Sequence, residues 1–175
     1  MLDRKMYRLT HVLKTIRDGK GPDILVMEEV ENLRVLEQWR TKYLKDFGYK
    51  SILIEGPDER GIDVGMFTRF EVVGEPKLHL QKFVVNDKLT EDNIKRPTRG
   101  ILEVTMKLPD GSLLTVLGVH LPSQGGPTEL RRQGLLRINE VVAGLPKDRM
   151  VMVAGDFNIT SEEEVTEHYM DGLMS

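Results

Sequence analysis

The chain contains no cysteine, which excludes disulfide frameworks, thiolate metal sites and thiol nucleophiles while leaving the redox compartment open. It has no apolar run long enough to cross a bilayer. The first residues, "MLDRKMYRLTHVLKTIRDG", lack the apolar core of a signal peptide and read as a helix already under way. Positive charge is not in excess: the formal net charge is −3 and the pI is near 5.9. That argues against a tight, purely electrostatic nucleic-acid binder. It leaves open an enzyme that meets a phosphate through a metal ion. Repeats, low-complexity tracts and linkers are also missing. What is there, 175 residues with 39% hydrophobic and 30% charged side chains, suffices for one soluble globular domain over residues 1–175.

Hydrophobic spacing predicts alternating helices and strands. Leu9, Val12, Leu13 and Ile16 recur at helical intervals and stop at Gly19 and Gly21. "DILVMEEV" reads as a short buried strand. Asn32 caps a helix whose face carries Leu33, Leu36, Tyr43, Leu44 and Phe47, with Gly48 ending it. "SILIE" and "GIDVGMFTRF" are strands joined by the turn "GPDERG", and "KFVVN" is a further candidate. The polar span 87–98 is expected as loop. "GILEVTMKL" and "LLTVLGVHL" flank "PDGS", a hairpin signal because Asp-Gly supplies positive φ. "GGPTELRRQGLLRINEVVAGL" predicts a helix with Leu130, Leu135, Ile138 and Val142 on one face, and "DRMVMVAGDFN" a last buried strand. After Ser161 the chain is acidic and weakly patterned. The hairpin among alternating elements points to an α/β fold with mixed sheets covered by helices.

Four strand ends carry polar groups. In "VAGDFNIT" the apolar run stops at Gly155, and Asp156 and Asn158, two residues apart, are expected on one face past the strand's carboxyl end. They can orient a water and donate to a phosphate oxygen, or form an Asx turn with both side chains tied to backbone. In "LVMEEVEN", alternation sends Glu29 and Glu31 one way and Glu28 the other. The alternatives are an oxygen ligand for Mg2+ and a solvated acidic loop. His120 precedes a Pro/Gly turn, where structural and catalytic readings both stand. Asp63, inside an apolar strand, requires a partner: an arginine such as Arg60 or Arg99, or a histidine imidazole that it orients. Arg99, Arg131 and Arg132 are either positive charge near a phosphate or solvated surface.

The order of these signals resembles the endonuclease/exonuclease/phosphatase superfamily, the deoxyribonuclease-I-like fold. The matching stretches are "PDILVMEEVEN", "RGIDVGMFTR", "RGILEVTMKLPDGSLLTVLGVHLPSQGG" and "MVMVAGDFN". The resemblance implies a four-layer sandwich, two mixed β-sheets face to face with helices outside. It implies that Glu29 is the metal-binding glutamate, Glu28 standing where the family usually has glutamine. His120 matches an active-site histidine, Asp156 the aspartate that orients the attacking water, and Asn158 the asparagine that contacts the phosphate. Asp63 matches, more loosely, the acidic residue that pairs with this histidine, and Arg99 is assigned to substrate binding.

The activity implied is Mg2+-dependent hydrolysis of a phosphoester by in-line water attack, with Mn2+ or Ca2+ as alternative ions. The substrate would be a nucleic acid or a small phosphodiester, and the full-length form would be soluble or exported. The family's first strand, with a metal-site asparagine, and its closing Ser-Asp-His segment find no counterpart here, and His168 in "TEHYMDG" does not replace the latter. The reading is therefore of a domain short at both ends. Two alternatives follow: an inactive domain that binds a partner or phosphorylated ligand, and a cation-binding module whose "GDFN" is only a turn.

Overall fold

The structure is a computed structural model that describes residues 2–81, 83–84, 94–95 and 99–168. The order is α1 (Leu2–Leu13), β1 (Ile24–Val30), α2 (Leu33–Tyr43), a 3-10 turn (Lys45–Phe47), β2 (Lys50–Leu53), β3 (Asp63–Thr68), β4 (Glu71–Val72) and β5 (Lys77–His79). Then come β6 (Phe83–Val84), β7 (Ile94–Lys95), β8 (Ile101–Lys107), β9 (Leu113–His120), α3 (Thr128–Ala143), β10 (Met150–Asp156) and α4 (Ser161–Glu167).

Two sheets face each other. One has the order β1-β3-β2; the other runs β10-β9-β8-β4, with β5 also paired to β8. Among the described residues, parallel pairing is confined to β9 and β10, which α3 joins as a crossover helix. The remaining pairs in both sheets are antiparallel.

Strand alternation divides the apolar residues into three cores. Between the sheets, Val64 and Met66 of β3 meet Leu102, Val104 and Met106 of β8 and Val116 of β9. On the outer face of the first sheet, Phe67 packs with Met6, Leu36 and Trp39 of α1 and α2. On the outer face of the second, Ile101, Leu117 and Val119 pack with Leu135, Ile138 and Val141 of α3. Helix, sheet, sheet, helix is the layering expected from the sequence. Gly118 permits the close approach of the sheets, since a Cβ there would lie 2.8 Å from the Val64 side chain.

Asn32 caps α2 as expected, its Oδ1 accepting the Val35 N–H at 3.0 Å. The α-helix, however, ends at Tyr43; Phe47 belongs to the 3-10 turn, and Gly48 at φ 69° terminates that turn. The span 87–98 lies mostly outside the described residues, but Ile94–Lys95 within it is a strand paired with β6 rather than loop. The acidic segment after Ser161 forms α4, with Thr160 Oγ1 accepting the Glu163 N–H. The signal was "TSEE", a capping-box spacing.

Candidate active site at the paired strand ends

β9 and β10 run in register to their last residues, which places Asp156 beside His120. The Leu121 N–H donates to the Asp156 carbonyl at 2.9 Å and extends the pairing one step. Gly155 is required here: its φ is 143°, and a Cβ would sit 1.9 Å from the Val119 carbonyl oxygen. Only glycine lets the two backbones approach so closely.

Beyond Asp156 the strand stops. Asn158 adopts φ 53°, and its N–H donates to Asp156 Oδ1 at 2.8 Å, an Asx turn. Its side-chain Nδ2 donates to the Leu121 carbonyl at 2.9 Å. Asp156 and Asn158 thus converge through a turn rather than by strand alternation. Asp156 Oδ2 lies 3.9 Å from His120 Nε2, and the Asp156 side chain is 53% exposed.

The basic side of the site is buried. His120 is 9% exposed and its Nδ1 has no hydrogen-bond partner among the described residues. Burial, then the positive charge of Arg99, lowers its pKa from the ordinary value of 6.5. Arg99 is 4% exposed. Its Nη2 reaches only the Leu121 carbonyl, at 3.5 Å, and Nε and Nη1 are unpartnered among the described residues. Burial pushes the guanidinium pKa down, and Asp58, Glu29 and Asp156 pull it back. A buried guanidinium whose Nε and Nη1 lack an acceptor among the described residues has the donor geometry that bidentate recognition of an oxyanion uses.

Asp63 does not orient His120, because the buried Nδ1 of His120 receives no such bond. Instead Asp63 Oδ1 accepts the Gly56 N–H at 2.8 Å. Burial raises its pKa, and Glu55 and Asp58 add to the effect. The Gly56 backbone packs so closely on the Arg99 carbonyl that a Cβ would lie 2.9 Å from it. Asp63 therefore fixes the loop that abuts Arg99. That loop also carries Arg60, whose charge reaches both Arg99 and His120.

The acidic side comes from β1. Its pairing with β3 slips between Met27 and Val30, and Glu29 has φ 59°. Val30 consequently joins Leu25 and Met27 in the helix-side core; alternation holds through Val26 and Glu28 and fails beyond Glu28. Half-buried Glu28 lines a cleft of about 450 Å³ with Val26, Met152, Gly155 and Asp156. Burial and the charge of Asp156 raise the Glu28 pKa. Glu29 is exposed, and its charge reaches His120 and Arg99.

Among the described residues no three His, Cys, Asp or Glu groups form a metal-holding cluster. The donors fit a hard cation that takes only one or two carboxylates and fills its remaining positions with water and substrate oxygen. Two like charges facing each other at Glu28 and Asp156 supply the electrostatic reason for one.

The structure thus gathers Glu29, His120, Asp156, Asn158 and Arg99 around one end of the facing sheets. Glu31 is exposed on the chain entering α2. Arg131 is not solvated surface: it is 3% exposed and bonded to Glu163. No periodicity marks that pair, because an arginine on the buried face of a helix breaks the apolar stripe.

No curated protein sequence matches the chain. Among solved structures, a humanized form of Danio rerio TDP2 superimposes with a TM-score of 0.67 at 17% identity, covering 94% of this chain and 59% of that one. ANGEL2, described as a 2',3'-cyclic phosphatase, gives 0.59 at 16%, covering 94% and 49%. The human Nocturnin catalytic domain gives 0.58 at 19%, covering 95% and 62%. At these identities the likeness is one of fold, and the chain spans less than two thirds of each of these structures. The family model described as the Endonuclease/Exonuclease/phosphatase family matches residues 1–171, so the chain belongs to that family.

Proposed function

We propose that the chain hydrolyses phosphoester bonds with the help of a divalent cation. The observation that carries this reading is Arg99: a guanidinium 4% exposed, with two nitrogens unpartnered among the described residues, beside the His120–Asp156 strand ends. Leaving such a group unpaired is costly, and a phosphoryl group would supply the missing acceptors. Family membership agrees, as do a cyclic phosphatase and a TDP2–DNA product complex among proteins of the same fold.

Arg99 and His120 would hold the non-bridging oxygens and counter the charge that builds up on them. Asp156, with Oδ1 fixed by the Asn158 N–H, has Oδ2 free to orient water and take its proton. Asn158 steadies the Leu121 carbonyl and, by releasing it, can donate to a phosphate oxygen. Glu29, with Glu28 beside it, would hold the cation. Mg2+ at that point supplies charge neutralisation at the phosphoryl group.

The test is hydrolysis of bis-p-nitrophenyl phosphate with Mg2+ and with chelator. The expected outcome is Mg2+-dependent turnover that Asp156→Asn reduces by about 10²- to 10⁴-fold. A second reading, phosphate binding without turnover, draws on the commitment of Asn158 Nδ2 to backbone. It would be supported by phosphate binding that survives Asp156→Asn in a protein with no turnover.

A further inference from the structure

The segment following His120 and the segment following Asn158 are bound to each other through one buried side chain. Arg131, on the first turns of α3, is 3% exposed. Its Nη1 donates to the Ser123 carbonyl at 3.2 Å and the Gly126 carbonyl at 3.4 Å, both in the loop that leaves His120. Its Nε donates to Glu163 Oε1 at 3.1 Å, and Nη2 reaches the same oxygen and Thr128 Oγ1. Glu163 lies in the first turn of α4, directly after the "GDFNIT" segment. Thr128 Oγ1 adds a bond to Glu163 at 3.3 Å. Gln124 Nε2 donates to the Asn158 carbonyl at 3.3 Å, closing the same gap from the other end.

Nε and Nη1 of this guanidinium bond the two segments, and Nη2 divides between Glu163 and Thr128 of its own helix. The joint lies one step behind the groups proposed to act. The Leu121 carbonyl, where the first segment starts, takes bonds from both Asn158 and Arg99. The loop at Ser123–Gly126 is thus continuous with a residue bonded to both Asp156 and Asn158.

We propose that Arg131 and Glu163 are positioning residues: their ion pair locks the loop after His120 to the turn after Asp156 and holds in place the His120–Asp156 arrangement that the β9–β10 register sets. The kinetic part of this inference rests on the phosphoester reading above; the structural part does not. Arg131 suits the task because its planar fork bonds a carboxylate and two carbonyls at once, which a lysine cannot do. Side chains that hold acting groups in place typically cost on the order of 10- to 100-fold in activity when removed.

The experiment compares wild type, Arg131→Gln, Arg131→Lys and Glu163→Gln. It measures amide hydrogen exchange in peptides covering residues 121–127 and 157–161, and kcat and KM for bis-p-nitrophenyl phosphate. The expected result is faster exchange in both segments in every variant: at 157–161 in the Arg131 variants and at 121–127 in Glu163→Gln as well as in the nearer segment. With it, kcat falls about 10- to 100-fold in Arg131→Gln and less in Arg131→Lys, while KM changes little. A substitution that only weakened the fold would raise exchange throughout and leave kcat per folded molecule unchanged. Faster exchange confined to the segment nearer in sequence to the substitution (121–127 for Arg131, 157–161 for Glu163), or an unchanged kcat in Glu163→Gln, overturns the proposal. Should Arg131→Gln fail to fold, Glu163→Gln leaves the bonds from Arg131 to Ser123 and Gly126 in place and still decides the matter. A wild type without turnover sinks the phosphoester reading, and the exchange comparison then still tests the lock.

Discussion

Two strand ends meet at the site, and they are built in opposite ways. The β9–β10 end is regular to its last pair: seven consecutive partners from Met150–Leu114 to Asp156–His120, with the backbones in contact at Gly155. The β1 end is irregular. Its register slips, Glu29 takes φ 59°, and its two carboxylates lie in partly open surroundings. At the first end, position comes from backbone geometry that tolerates no added atom. At the second, it comes from charge, and a cation would complete it. The division suits the roles proposed: the groups that must align with the reacting bond are rigid, while those that hold a hydrated ion need not be.

The largest expected effect comes from breaking the rigid end. Gly155→Ala would drive a Cβ to 1.9 Å from the Val119 carbonyl oxygen at a φ of 143°. The strands must separate to accept it, and a loss of about 4 kcal/mol or more is expected, in the range reserved for severe backbone clashes. Gly48→Ala is the control. It also has positive φ, 69°, but nothing lies within 4 Å of its Cβ, so only about 1 kcal/mol should be lost. Urea unfolding of both proteins measures the difference. Equal losses would show that the close approach at Gly155 relaxes freely, and the contrast between the two ends would fail.

The contrast also decides how much was legible in the sequence. The β9–β10 end could be read well, because the apolar run, the glycine and the polar groups lie consecutively in "VMVAGDFN". Even there the reason was incomplete: an Asx turn, not strand alternation, brings Asn158 back toward Asp156. At β1 the sequence put both carboxylates at the strand end, but alternation could not foresee the bulge that turns Val30 into the helix-side core. Asp63 was recognised as a buried acid needing a partner. Its partner turned out to be the Gly56 N–H, a backbone group that leaves no mark in a sequence. Arg131 was missed for a related reason. Its partners are carbonyls and a carboxylate 32 positions away, and nothing local distinguishes it from the neighbouring Arg132.

Of intermediate size is the effect of neutralising β1. Glu29→Gln should raise the Mg2+ concentration needed for half-maximal turnover by about 10-fold or more, the loss of one charged contact worth roughly 1.5–3 kcal/mol. Glu28→Gln should raise it less, because burial and the charge of Asp156 already disfavour the Glu28 carboxylate. Magnesium titrations of the initial rate distinguish the two. A larger shift in Glu28→Gln than in Glu29→Gln would transfer the main ligand role to Glu28.

The smallest effect, and the one that separates the two ends most directly, is the sign of the pH dependence of stability without a cation. His120 has its folded pKa lowered below 6.5 by burial and Arg99. The unfolded chain then binds its proton first as pH falls, so stability is full above the unfolded value and declines as pH drops toward the folded one. Glu28 has its folded pKa raised above 4.5 by burial and Asp156. Here the folded chain holds the proton longer, so stability is greatest below the unfolded value and is lost as pH rises through the folded one. In chelator, His120→Gln should flatten the loss on the acid side of 6.5. Glu28→Gln should flatten the loss on the rising side of 4.5 and stabilise the protein at neutral pH, by no more than about 1 kcal/mol for a half-buried carboxylate. Adding Mg2+ should then stabilise wild type more than Glu28→Gln, since the ion removes the repulsion that the substitution has already removed. Urea midpoints across pH 4–8 for the three proteins read all of this. Slopes of the same sign at both ends would mean that charge and geometry are not divided between β1 and β9–β10 in the way the structure places them.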